Sequence, residues 1–264
     1  MAVNKEVSVQ ETPKATALAA VAAEFDAAPS GLDEVSARDV MVPRLAILQA
    51  LSPQVTKTKP EFIQGAEQGD FCDIGTGDIF KGSMEVLPCF FATIYLEWAP
   101  RDSGKGLAAN HGTNASVVGQ AKANDNNQLI LPNGNLIQET ATYFVLNLSA
   151  GGRRSFIPLA ATQIRSSRRW MTLITAEKIK RADGSEFTPP IYYRSWKATP
   201  LSASNAKGTW WTWKFEPSVP VLDLDPSKVL LGVAKEFCQE APELAKSQAM
   251  RAAQDDNHDN KEVM

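Results

Sequence analysis

The chain has 264 residues, 44% of them hydrophobic and 22% charged, with a formal charge of −3; these proportions exclude wholesale disorder and a coiled coil. No apolar run approaches the roughly 18 residues a membrane span needs, and the N-terminus lacks the basic-then-apolar layout of a signal peptide, so a soluble cytoplasmic protein is expected. Three cysteines (Cys72, Cys89, Cys238) without CxxC spacing and two histidines (His111, His258) supply neither a disulfide framework nor a His-rich metal site. No metal and no cofactor are expected.

Residues 1–33, rich in Ala, Glu, Ser, Thr and Pro, read as a flexible arm with apolar spacing only from Leu18 to Phe25. Residues 34–226 read as the main domain. In MVPRLAILQALSPQV, Pro43 and Pro53 disfavour a helix, and Leu45, Ile47 and Leu51 suit an extended, core-docking strand. Met84–Trp98 is β-branched and aromatic enough for one or two strands. Residues 101–135, rich in Gly, Asn, Asp, Ser and Ala, predict a long mobile loop with little to bury, closed by the Asn133-Gly134 turn. Residues 142–149 and 153–158 then form a hairpin about Gly151-Gly152.

A helix follows over about 160–180. Ile164, Ser167, Met171 and Ile174 share one face, while Arg165, Arg168, Arg169 and Thr172 share another. Asp183-Gly184 and Pro189-Pro190 end that unit. Residues 191–198 and 209–215 read as strands joined by a polar SASNAKG loop, 219–224 as an edge strand, 227–253 as a C-terminal helix, and 254–264 as an acidic tail. The sum is a mainly β domain of about five strands with one inserted helix and a C-terminal helix. That order fits an OB-fold-like β-barrel, a small Greek-key barrel whose face and loops bind oligonucleotides and oligosaccharides.

The small net charge hides a partition. Residues 151–215 carry twelve Lys/Arg against three Asp/Glu, inside a chain that is acidic on both sides, and they hold five of the six tryptophans. Cations attract phosphates and aromatic faces stack on bases, a pairing suited to single-stranded nucleic acid. The expected phosphate contacts are Arg165, Arg168 and Arg169 on the helix, then Arg194, Lys197 and Lys214, with Arg153 and Arg154 at the glycine turn and Lys207 beside Gly208. The expected stacking platforms are Tyr192 and Trp196, flanking Arg194 on one side of a strand, and Trp210, which faces away from Trp211 and Trp213. Trp170 is expected in the core or at its boundary.

Enzyme chemistry finds little support in the sequence, and of its classes a divalent-metal nuclease built from scattered carboxylates and a lysine stays an open alternative, since such sites leave weak traces. No GxGxxG, GxxxxGK[ST], GxSxG or HExxH string occurs. Asp70, Asp73 and Asp78 lie near Gly75 and Gly77 without EF-hand spacing and read as a turn-rich linker.

From Val42 to Trp213, the strings PRLAILQALSPQV, IPLAATQIRSSRRWMTLI and NAKGTWWTW resemble bacteriophage single-stranded DNA-binding proteins, which are compared with the OB-fold proteins of T7-like phages. The resemblance implies non-enzymatic binding and protection of single-stranded DNA during phage replication and recombination in a bacterial cytoplasm. It also implies an acidic C-terminal tail that contacts replication enzymes. Here Asp255, Asp256, Asp259 and Glu262 stand in that place, Lys261 interrupts them, and the chain ends in Met264 rather than an aromatic residue. Two other readings share these features: a strand-annealing or recombination mediator that oligomerises, and a virion or scaffold protein whose basic segment meets an acidic subunit.

Overall fold

The structure, a computed structural model, describes residues 41–246 except 127 and 207, together with the isolated Gly31 and Glu34; of Arg101 it describes the backbone alone. The arm expected over 1–33 (Gly31 apart), the tail over 254–264, Lys207 and His258 lie outside the described residues.

After Pro43, Leu45–Ile47 forms β1 with Leu45 and Ile47 in the core, but the strand ends there: Leu51, expected on it, lies in a turn and is exposed, and Pro53 begins a 3-10 turn. β1 pairs antiparallel with β2 (Phe71–Asp73), and β2 with β3 (Ile79–Phe80). The larger sheet starts with β4 (Met84–Trp98), β5 (Leu107–Asn110), β6 (Lys122–Ala123) and β7 (Leu129–Ile130). It continues with β8 (Leu136–Asn147) and β9 (Arg153–Ala160). After β9 come α1 (Ile164–Ala176) and a small hairpin, β10 (Ile179–Lys180) with β11 (Glu186–Phe187). β12 (Arg194–Asn205) and β13 (Gly208–Pro220) then return to the sheet as one long hairpin, followed by α2 (Val221–Leu224) and α3 (Val229–Lys246).

The strand order is β13-β12-β4-β8-β7-β6, with β5 on β4 and β9 on β8. Along β13-β12-β4-β8-β9 every pairing is antiparallel, and α1 is inserted between β9 and β12. This is a mainly β, OB-fold-like arrangement, curled into a half-barrel.

Pro88 sets the curl. Proline has no N–H for a ladder and is tolerated inside a sheet mainly at a bulge, and the β4–β8 register shifts between Pro88 and Phe90. The extra residue bends the strand and changes which side chains face which way. Met84 and Val86 face the inner cluster, whereas Leu87, Cys89, Phe90, Ala92, Ile94 and Leu96 all join the outer one.

The inner face is closed by α1. Trp170 stacks on Phe215 (centroids 3.6 Å apart, planes 9°) and on Tyr143 (4.2 Å, 25°), and meets Trp196 edge-on at 6.2 Å. Tyr143 Oη donates to the Ser167 carbonyl (3.0 Å), which satisfies the one polar atom this ring buries. The outer face is closed by α3, whose Ala234, Phe237, Ala241 and Ala245 recur at three- and four-residue steps and are all fully buried. The alanines let the helix backbone approach closely, and Phe237 sits edge-on to Phe144.

The half-barrel's gap is bridged by side chains. A parallel bridge joins Arg44 to Phe156, so β1 continues the sheet beyond β9. No backbone ladder joins β1 to β13 among the described residues. Instead the Gln49 carboxamide accepts from the Trp211 N–H (2.9 Å) and donates to the Trp211 carbonyl (3.0 Å). One side chain makes the pair of bonds that a neighbouring strand would make.

Several elements differ from the sequence reading. Residues 101–135 are not slack: β5, β6 and β7 lie there, and Val117 and Leu131 bury themselves with Ile137 in a small cluster. A few well-spaced apolar residues are enough to order a segment whose bulk composition is polar. The SASNAKG segment belongs mainly to the paired arms of β12 and β13, with Ser202 opposite Trp211 and Asn205 opposite Gly208. Residues 219–224 leave the sheet after Pro220 and form α2 rather than an edge strand.

Phe237→Ala should lower unfolding free energy by about 3–5 kcal/mol, read from denaturant midpoints. A loss below about 1 kcal/mol would mean that α3 is not integral to the outer core.

Candidate nucleic-acid interface

The unclosed seam between β1, β9 and β13 leaves a cleft of about 130 Å³. Trp98 at the end of β4 and Trp210 on β13, both half-buried, line it. Its polar lining includes Arg44, Gln138, Thr140 and Gln163, and no carboxylate is among the described lining residues. Each wall is fixed from behind. Trp98 Nε1 donates to Gln138 Oε1 (3.0 Å), Gln163 Nε2 donates to the Trp211 carbonyl (2.9 Å), and Thr212 Oγ1 donates to Gln163 Oε1.

Two features mark the cleft as unfinished. Thr140 Oγ1 and Trp210 Nε1 are buried with no hydrogen-bond partner among the described residues, an uncommon and costly condition. Ala161, which also lines the cleft, takes φ +47°, a left-handed conformation that alanine seldom adopts. Strain and unmet hydrogen bonds of this kind gather at binding sites.

The cations expected to form one trench divide into three groups. Arg153 Nη1 contacts Asp73 (3.0 Å) and Asp78 (2.6 Å), and its hydrogen bond, followed by that of Thr76, holds the Asp78 carboxyl below the usual range. Arg154 is held by Glu236 (2.9 Å) and Glu240 (2.7 Å) and ties β9 to α3, while Arg194 pairs with Glu177 (2.8 Å). These three side chains are committed to the fold, because acidic partners remote in sequence have come to them.

Lys214, Lys197 and Arg169 form the second group. Lys214 pairs with Glu216 (2.8 Å), and its hydrogen bond, aided by the attraction of Lys197 and Arg169, lowers the Glu216 pKa. Lys197 is cross-strand to both Glu216 and Glu85, so its charge has neighbours of opposite sign on two sides. Arg165 and Arg168 make up the third group. They are exposed on α1, which begins where the cleft-lining Gln163 ends, and no ion pair among the described residues involves them.

The aromatic expectations divide in the same way. Trp196 is 2% exposed and packs in the inner core, so it offers no stacking face. Tyr192 lies in a 3-10 turn begun by Pro190, not on a strand, and packs against the outer cluster. The pairing of Tyr192 and Trp196 about Arg194 therefore does not exist. Trp210 is half-exposed as expected, and Trp170 is wholly core. Trp98, Arg44, Gln138, Thr140 and Gln163 were not singled out by the sequence. Trp98 was the one tryptophan outside the basic window, and no local pattern links it to Trp210.

A second polar node orders the segment after β4. Glu97, nearly buried, accepts from Asn133 Nδ2 (2.9 Å) and Asn135 Nδ2 and contacts His111 Nε2 (2.8 Å). Burial opposes its charge, but the bonds from Asn135, Asn133 and His111 outweigh it and hold the carboxyl below its ordinary value. Burial pushes the Cys72 and Cys89 thiols up to about 12, so neither ionises near neutral pH. No cluster of three or more His, Cys, Asp or Glu suited to a metal occurs among the described residues.

Fold and site together define an OB-fold-like β protein with a tryptophan-lined cleft at its open seam. The family described as Pam3 phage gp34-like protein matches residues 11–247, and the chain belongs to that phage-protein family. No curated protein and no solved structure matches the chain. No helix among the described residues is long and apolar enough to cross a membrane.

Because the Glu97 pKa is depressed in the fold, its ion contributes stability above the ordinary glutamate pKa of about 4.3 and loses it as pH falls through the folded value. Glu97→Gln should therefore lower the melting temperature at pH 7, with a deficit that shrinks toward pH 3. An equal deficit at both pH values, measured by thermal scans, would contradict a charge-based role.

Proposed function

We propose that this protein binds single-stranded DNA without sequence-reading machinery along its length, and that the strand engages at the open seam of the half-barrel. The observation that carries this reading is the cleft itself. Two half-buried indoles, Trp98 and Trp210, and several hydrogen-bonding side chains converge on it, where β1, β9 and β13 meet the end of β4 and the start of β8. In OB folds the open strand face and its adjoining loops take oligonucleotides.

Bases would stack on Trp98 and Trp210, while Arg165 and Arg168 meet phosphates leading into the cleft. Lys197, Lys214 and Arg169 would assist more weakly because Glu216 and Glu85 offset them. A non-enzymatic role in phage replication or recombination, in the bacterial cytoplasm, draws its support from the resemblance of the sequence strings and from membership of a phage family.

Truncating either platform, Trp98→Ala or Trp210→Ala, should weaken oligo(dT) binding roughly 5- to 150-fold, the equivalent of about 1–3 kcal/mol per stacked base. Replacing both Arg165 and Arg168 by Ala should flatten the log K against log salt slope by about 1.4, near 0.7 per cation. Arg153→Ala, which breaks a structural pair, should leave that slope unchanged. Binding that ignores salt, or no quenching of tryptophan fluorescence by oligo(dT), would overturn the reading.

A further inference from the structure

The geometry points to β12 as a dimerisation edge, along which a second copy of this chain lays its own β12 antiparallel. β12 pairs with β4 only from Trp196 to Ala198. Its remaining residues run on beside β13, with no strand on their other side among the described residues. Ser202 and Ser204 are exposed there, and Leu201 is 50% exposed. The ladder fixes which backbone groups this edge presents. In an antiparallel pair, opposed residues alternate between exchanging hydrogen bonds and turning N–H and C=O away from each other. Trp211 gives both groups to Gln49, on the side away from β12, so its partner Ser202 turns both of its own away from β13. The same alternation applies to Ala198, whose outward groups lie against β4, and to Pro200 and Ser204. The open edge therefore offers the carbonyls of Pro200, Ser202 and Ser204, but N–H groups from the two serines alone, because proline has none.

Such an edge complements itself, which is what selects a second copy as the occupant. With a two-fold axis at Ser202, each Ser202 N–H meets the Ser202 carbonyl of the other copy, and each Ser204 N–H meets the Pro200 carbonyl of the other. Every donor on the edge is used in this register. On one face, Leu201 of each copy lies directly across from Ala203 of the other, which covers the exposed leucine. Exposed edges are commonly guarded by charged side chains, lysine above all; the stretch from Thr199 to Asn205 carries none. An isologous contact closes on itself and stops at the dimer. The opposite edge of β13, held by Gln49, and the seam cleft beyond it stay free. The contact is short, so the dimer belongs with small, reversible interfaces and builds up as concentration rises.

The test is sedimentation velocity of the full chain over a wide concentration range, without nucleic acid, so its outcome is independent of the single-strand reading. The sedimentation coefficient should rise from monomer to dimer and no further. Leu201→Lys sets like charges diagonally across the axis and should leave the chain monomeric, with the near-ultraviolet circular dichroism of the core tryptophans unchanged. Pro200→Ala gives each copy an N–H aimed at the Ser204 carbonyl of the other. It should tighten association about thirty-fold, the worth of two net hydrogen bonds of ordinary strength. A parent chain that stays monomeric at every concentration would overturn the proposal and leave the edge to a strand of another protein. A dimer that survives Leu201→Lys, or one that Pro200→Ala leaves no tighter, would overturn it as well, because the association would then lie elsewhere or in another register.

Discussion

A proline in the central strand is the constraint from which the rest of the architecture follows. Pro88 interrupts β4 where that strand has β8 on one side and β12 on the other. Pairing with β12 stops at Val86, the register with β8 shifts beyond Pro88, and the alternation flips, so that even-numbered side chains point inward at Met84 and Val86 and outward at Phe90, Ala92, Ile94 and Leu96, while Phe91 packs inward. One strand therefore supplies both cores. The sheet curls enough for α1 to plug one face and α3 to cover the other, and it stops short of closing, which leaves the seam that Gln49 bridges. The cleft is the remainder of that incomplete closure.

Charge behaves differently in space from the way it is distributed along the chain. The segment 151–215 is strongly basic in sequence, yet its arginines are met by Asp73 and Asp78 from the β2–β3 region and by Glu236 and Glu240 from α3. The acidic flanks thus supply counterions to Arg153 and Arg154. Of the cations expected to meet phosphate, Arg165 and Arg168 on α1 are exposed and outside any ion pair among the described residues. A ligand drawn by charge would be steered to that helix and the adjoining seam, not spread over a long trench.

Much of the fold was legible because it depends on local signals. Pro43 and Pro53 frame β1, the glycine pair turns β8 into β9 with φ +68° at Gly151 and +81° at Gly152, and the apolar spacing of α1 buries Ser167, Trp170 and Ile174. The misreadings came where tertiary contacts overrule composition. Val117 and Leu131 order a polar segment by packing on Ile137, and Pro189-Pro190 leads into a 3-10 turn that carries Tyr192 off the strand. The site was the least legible part. Trp98 and Trp210 are more than a hundred residues apart, and whether an indole such as Trp196 faces solvent or core depends on the bulge and on α1, neither of which a strand alternation can report.

The most direct measurement is a 15N–1H spectrum of the six indole N–H groups, recorded while a short oligo(dT) is added to the full chain. The signals of Trp98 and Trp210 should move with saturating dependence on oligonucleotide, and those of Trp170 and Trp196 should hold still in the inner core. Movement led by the core indoles, or six unmoved signals at saturating oligonucleotide, would contradict the seam as a nucleic-acid site.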